Sequence, residues 1–178
     1  MDIDSYDCDL VVNLLGLGLL PRFIIMEVNV NIPPPFKFNW RFQHNTSVVR
    51  LENDMITWNW MFPLFGCSLS AQIDMFHRFG YSLVHFWESD AVFVHESHLQ
   101  LLIQQGVVAG PLNEYDCFQK VMLSTNGIDL RTLRRWLHEI PLRATYLEIF
   151  FYLRHVYSTF IQSRLPFNIS DLPYDLTI

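Results

Sequence analysis

Basic residues are scarce in this sequence. It carries 12 Lys and Arg against 18 Asp and Glu, a formal net charge of -6 over 178 residues. Proteins that bind nucleic-acid phosphates do so with clustered basic side chains, so the composition argues against nucleic acid as a partner. The only tight basic group, Arg131, Arg134 and Arg135, fits one solvated helix face.

Cysteine is also scarce. The three cysteines, Cys8, Cys67 and Cys117, are far apart and form no C-x-x-C pair. This odd number and wide spacing predict neither a disulfide framework nor a zinc site. We therefore expect a reducing compartment, the cytoplasm.

A long uninterrupted apolar run is missing. Acidic residues precede the stretch from Leu10 to Met26, and Asn13, Pro21 and Arg22 interrupt it. A membrane span needs about 20 consecutive apolar residues, and a signal peptide begins with positive charge. The stretch is therefore expected to pack in a core and not to enter a membrane. With 51% hydrophobic residues the chain can bury a sizeable one.

The first 29 residues have the pattern strand, helix, strand. Residues 2–5 are typical of a strand end, and Asp7 or Asp9 is predicted to be the N-cap of a helix. Phe23 to Val28 is a continuous apolar run broken only by Glu27, which predicts a strand buried on both faces of a parallel sheet. Acidic or amide side chains lie at both strand ends, where open α/β sheets bind ligands.

The next segment is less regular. Residues 29–63 contain three consecutive prolines and scattered aromatics, which predicts an irregular excursion with a short strand near Ser47 to Leu51. Ser68 is a plausible N-cap for a helix that ends before Gly80. Tyr81–Trp87 and Ala91–His95 then predict an antiparallel hairpin, because the acidic turn between them is short.

Beyond Glu96 the pattern becomes helical. Helices are predicted over residues 98–105, 114–123, 130–140 and 144–163, with an irregular tail after Pro166. We therefore divide the chain into an α/β half-domain, residues 1–96, and a helical extension packed on it, residues 97–178.

Four motifs carry a resemblance to a known family. They are Asp-Ile-Asp-Ser-Tyr-Asp (residues 2–7), Met-Glu-Val-Asn-Val-Asn-Ile-Pro-Pro-Pro-Phe (26–36), Phe-Gly-Cys-Ser-Leu-Ser (65–70) and Gly-Tyr-Ser-Leu-Val (80–84). In this order they resemble the C-terminal half of class I S-adenosylmethionine-dependent methyltransferases of the FkbM-like kind. The resemblance covers about residues 1–96.

The resemblance implies a partial Rossmann-like sheet made of the last four strands, in the order four, five, seven, six, with an antiparallel final hairpin. It also implies S-adenosylmethionine as the cofactor. That family holds the cofactor with a glycine-rich turn after its first strand and an acidic residue ending its second. Neither has a counterpart here, and the stretch Leu15-Gly-Leu-Gly-Leu19 is predicted to be a helix C-cap.

Asp2 and Asp4 are the candidate catalytic residues, because a carboxylate at this edge can act as a base or orient a methyl acceptor. By resemblance, Glu27 and Asn29 would shape the side of the site that binds the methyl acceptor.

The same residues also have purely structural explanations. Asp7 would then only cap a helix, and Glu27 would be a structural carboxylate. Oxygen ligation of a divalent cation is a further alternative, and His95 with His98 is better explained as an exposed strand end than as a metal site.

The sequence thus predicts an incomplete or degenerate methyltransferase-like protein, which would transfer a methyl group to an oxygen or nitrogen acceptor if another chain supplied the first half. The alternative is a non-catalytic interaction module that recruits a protein partner at the exposed sheet edge of strand four. A third possibility is a truncated product of a longer reading frame.

Overall fold

The computed structural model describes residues 7–41, 66–121, 130–157 and 174–178. These form a mixed α/β structure with two small antiparallel sheets. The helices are α1 (Asp7–Gly16), α2 (Leu69–His77), α3 (Glu96–Gln104), α4 (Glu114–Val121), α5 (Leu130–Arg134), a π-helical turn (Arg135–Glu139) and α6 (Leu142–Tyr157). The strands are β1 (Phe23–Glu27), β2 (Lys37–Trp40), β3 (Tyr81–Trp87), β4 (Asp90–His95) and β5 (Tyr174–Thr177).

The larger sheet has the order β1-β4-β3, and β4 is antiparallel to both neighbours. Ile25 pairs with Val92, and Leu83 pairs with Phe93. The predicted hairpin of β3 and β4 is therefore confirmed. The predicted parallel pairing of residues 2–5 with β1 lies outside the described residues.

Strand β1 is not buried on both faces, and this expectation was wrong. Ile24 and Met26 are in the core, whereas Phe23 is 48% and Ile25 is 55% exposed. The sequence did not reveal this alternation between buried and exposed positions, because the residues at the exposed positions of β1 are apolar as well. Glu27 has the same parity as Phe23 and Ile25 and so lies at the end of the more exposed face.

Helix α1 ends as the glycine-rich stretch predicts. Gly18 has φ +86°, the Gly18 amide donates to the Leu15 carbonyl at 2.9 Å, and the Leu19 amide donates to the Leu14 carbonyl at 3.1 Å. This pair of bonds is a Schellman motif, which needs a residue without a β-carbon at the left-handed position. The C-cap prediction is confirmed.

Helix α2 begins at the predicted cap. The Ser68 hydroxyl accepts hydrogen bonds from the Ala71 amide at 3.3 Å and the Phe38 amide at 2.9 Å, and it donates to the Phe36 carbonyl at 2.8 Å. One buried hydroxyl therefore caps α2 and also fastens the start of β2 to it. Gly80, with φ +80°, follows the helix as expected.

The smaller sheet was not predicted. Strand β2 lies within the segment expected to be irregular, and β5 lies within the tail expected to be irregular; the two pair antiparallel, with Phe38 opposite Leu176. Both expectations were wrong, because each strand has only four residues and takes its partner from a distant part of the sequence. The proposed strand near Ser47 to Leu51 lies outside the described residues.

Strand β2 also joins the two predicted parts of the chain. Phe36, Phe38 and Trp40 share a buried cluster with Ile149 and Leu153 of α6. The boundary at residue 96 stays a prediction, but residues before it share a core with the helices after it. No helix within the described ranges is both long enough and apolar enough to cross a membrane.

Cys8 and Cys67 form a disulfide, which contradicts the expectation from the spacing of the cysteines. Their α-carbons are 6.3 Å apart, within the range that a disulfide bridges. The two residues are 59 positions apart in sequence, so only the packing of α1 beside the start of α2 brings them together. Cys117 is a free, buried thiol.

Candidate functional site

The carboxyl end of β1 is held from two sides. The Val28 amide donates to the Ser89 carbonyl in the β3–β4 turn at 2.7 Å, and the Asn29 amide donates to the Cys67 carbonyl at 2.8 Å. The chain therefore leaves the sheet in a fixed direction between the hairpin and the start of α2. This is the edge at which the sequence predicted ligand-binding residues.

Asn29 is buried and its side chain is oriented. Its Oδ1 accepts a hydrogen bond from the Asn31 amide at 3.1 Å, an Asx turn that reverses the chain. Because Oδ1 is used in this way, the direction of the Asn29 NH2 group is set. Asn31 is itself fully buried.

Gln72 joins α2 to the same strand end. It has no exposed surface, and its Nε2 donates to the main-chain carbonyl oxygen of Glu27 at 2.6 Å. Its Oε1 is buried and has no hydrogen-bond partner among the described residues. The sequence reading did not single out Gln72, although it lies three residues after Leu69 and four before Phe76, on the face that these apolar residues define.

The start of α1 reaches this region through Asp9 and the disulfide. Asp9 Oδ1 accepts from Asn39 Nδ2 at 2.8 Å, and Asn39 forms an isolated antiparallel bridge with Cys67. Asp7, one residue before Cys8, is buried in the first turn of α1. A carboxylate in the first turn interacts favourably with the positive end of the helix dipole.

We call these residues the strand-end cluster: Asp9, Glu27, Asn29, Asn31, Asn39 and Gln72. It combines carboxylate and amide side chains, and its amide members Asn29, Asn31, Asn39 and Gln72 are all buried. Asp2 and Asp4, the proposed catalytic residues, lie outside the described residues, so the structure does not place them relative to Glu27 and Asn29.

The described residues do not fit S-adenosylmethionine. None of them forms a glycine-rich turn that leads from a strand into a helix, and the stretch from Leu15 to Leu19 is a helix end. Within the described ranges, no three His, Cys, Asp or Glu side chains are grouped to hold a metal ion.

A charged groove of about 510 Å³ lies on the outer face of α2. Asp74 accepts from Lys37 Nζ at 2.9 Å and from Arg78 Nη2 at 2.5 Å. The hydrogen bond from Lys37 is the main reason why the pKa of Asp74 is lowered below its ordinary value. Nearby, the Ser70 hydroxyl donates to Glu114 Oε2 at 2.6 Å.

An apolar groove of about 450 Å³ lies between α1 and β1. Exposed hydrophobic side chains surround it, with Leu19 57% and Leu20 54% exposed beside Phe23 and Ile25. Its lining is Val11, Leu14, Leu15, Leu19, Leu20, Pro21, Phe23, Ile24 and Ile25. Contiguous exposed apolar surface of this kind is typical of an interaction site.

Comparisons of the chain with models of protein families, with curated proteins and with solved structures find no match.

Proposed function

We propose that this chain provides the acceptor side of an S-adenosylmethionine-dependent methyltransferase-like site, for methyl transfer to an oxygen or nitrogen acceptor. The observation that carries the proposal is the strand order β1-β4-β3, with β4 antiparallel to both neighbours and the strand-end cluster at the carboxyl end of β1. It agrees with the order five, seven, six that the resemblance of the four motifs implies.

The cluster supports this role through its chemistry. Amide and carboxylate side chains are of the types that hydrogen-bond a hydroxyl or amine, and Glu27 and Asn29 both lie where β1 ends. Orientation of an acceptor by such groups raises the rate by removing the entropy cost of alignment. Asp4, followed by Asp2, remains the proposed base.

Titration with ethanolamine, a small probe that carries both a hydroxyl and an amine, followed by NMR, tests the acceptor side of the proposal. A fragment of this size should bind weakly, with a Kd of about 1 mM, and shift the Asn29 and Asn31 amides and the Gln72 side-chain amide. Asn29→Ala should abolish the shifts, and Gln100→Ala, on the exposed side of α3, should leave them. Absence of shifts at these three groups would reject the site.

The apolar groove favours a second candidate, a protein-interaction module. Phe23 and Ile25 place exposed apolar side chains on β1, and Leu19 and Leu20 continue the same surface from the end of α1. Their burial by a partner protein would remove apolar area from water, the main favourable term in association. This role requires no methyl transfer, so it stands if the titration gives no shifts.

A further inference from the structure

We propose that the Cys8–Cys67 disulfide is a redox latch on the strand-end cluster: oxidised, it holds the cluster together, and reduced, it lets the first turn of α1 separate from the start of α2. The claim that this latch regulates methyl transfer rests on the proposed function. The claim that reduction opens this part of the chain does not, and it can be tested by itself.

Cys67 contacts the end of β1 and β2 and directly precedes the cap of α2. Its carbonyl accepts from the Asn29 amide at 2.8 Å, and its backbone bridges to Asn39. The next residue, Ser68, caps α2 and binds both Phe36 and Phe38. Cys67 therefore lies where the end of β1, β2 and α2 meet.

Cys8 ties the start of α1 to this junction. It lies in the first turn of α1, between Asp7 and Asp9, and Asp9 binds Asn39. Asp7 and Cys8 are both buried, so packing and the disulfide together hold the start of α1 against the start of α2. Amides in the first turn of a helix have no partner within the helix, so without the covalent bond this turn loses fewer helix hydrogen bonds on opening than the centre of the helix would.

The chemistry of the latch is thiol–disulfide exchange with a dithiol reductant. A thiolate of the dithiol attacks one sulfur of the Cys8–Cys67 bond and releases the other cysteine as a thiolate, forming a mixed disulfide; the second thiol of the dithiol, as a thiolate, then attacks the dithiol sulfur of the mixed disulfide, closes an intramolecular disulfide and releases the remaining cysteine. The dithiol gives up two electrons and two protons, and the two cysteine sulfurs take up both electrons and one proton each. Because both cysteines have no exposed surface, attack requires the first turn of α1 to open.

The test uses the full chain and dithiothreitol without denaturant. Alkylation after unfolding should label only Cys117 before reduction and all three cysteines after it. Amide hydrogen exchange of the reduced chain should then show the Asn29 amide within about tenfold of the unstructured rate, while amides of the β3–β4 hairpin keep at least about a hundredfold protection. The Cys8→Ser chain should reproduce the reduced pattern without reductant.

Three results would overturn the latch. One is a disulfide that dithiothreitol reduces only in denaturant, since it would then be a structural disulfide that is not reduced in the folded protein. Another is equal loss of protection at Asn29 and in the hairpin, which would mean global unfolding. The third is full protection of Asn29 in the reduced chain. None of these measurements contains an acceptor probe, so failure of the latch and failure of the proposed function are distinguishable.

Discussion

Gln72 and Glu27 are joined by a hydrogen bond of 2.6 Å from the Gln72 side-chain amide to the Glu27 main-chain carbonyl. The bond is short and Gln72 is fully buried, so it fixes how α2 lies against the end of β1. The strand-end cluster depends on this relationship, because Asn29 follows two residues later and is held by Cys67, just before α2.

Gln72→Ala should lower the free energy of unfolding by about 2 kcal/mol, because it removes the buried hydrogen bond to the Glu27 carbonyl and opens a small cavity. Urea denaturation followed by circular dichroism measures this. Gln100→Ala is the matched control, since Gln100 is exposed on α3 and should change stability by less than about 0.5 kcal/mol. Equal costs for the two variants would show that the Gln72 bond does not hold α2.

Asp74 predicts a pH dependence of stability. Its pKa is lowered in the folded chain, mainly by the hydrogen bond from Lys37, so the folded state binds a proton less readily than the unfolded state. The stabilisation is present above the ordinary pKa of an aspartate and is lost as pH falls through the lowered pKa.

Urea denaturation of the wild type and Asp74→Asn at a series of pH values measures this dependence. The wild type should be the more stable at neutral pH, and the difference should shrink in acid. Asp90→Asn is the control, because Asp90 is an exposed carboxylate outside this ion pair. A difference that stays constant down to strongly acidic pH would contradict stabilisation by the ionised Asp74 carboxylate.

Cys117 is predicted to be unreactive in the folded chain. Burial raises the pKa of its thiol, so the reactive thiolate is disfavoured, and the surrounding core also excludes reagents. Iodoacetamide at neutral pH should label Cys117 only after unfolding, as mass spectrometry would show. Labelling of the native protein at the rate of a free thiol would mean that Cys117 is accessible.

The apolar groove is predicted to bind apolar ligands without contributing much to stability. Leu20→Ser should reduce the fluorescence of bound bis-ANS and change the free energy of unfolding by less than about 0.5 kcal/mol, since the side chain is already about half exposed. Leu101→Ser is the control, because Leu101 is 52% exposed on α3, outside the lining of the groove. An equal loss of fluorescence from both variants would place the dye elsewhere.

Local patterns predicted the parts of the fold that are set by neighbouring residues. The β3–β4 hairpin follows from two alternating runs around a short turn, and the ends of α1 and α2 follow from Gly18 and Ser68. In each case the responsible side chain or glycine lies within a few residues of the feature that it determines.

Contacts between distant residues were not predictable in the same way. The Cys8–Cys67 disulfide and the β2–β5 pairing join segments with no local signature of each other. The exposed face of β1 was missed because an apolar run does not reveal which of its faces is covered. The predicted strand end at Glu27 is confirmed, and the site roles of Glu27 and Asn29 stay predictions. Gln72 was missed because a glutamine on a helix is usually solvated.

The proposed methyltransferase-like sheet requires residues 2–5 to form a strand that pairs parallel with β1. The most direct test is measurement of cross-strand nuclear Overhauser effects between the backbone protons of Ile3 and those of residues 23–28. The account predicts contacts in a parallel register, which would bring Asp2 and Asp4 to the same edge as Glu27 and Asn29. Contacts in an antiparallel register, or none between these segments, would contradict both the methyltransferase-like sheet and the proposed reaction centre.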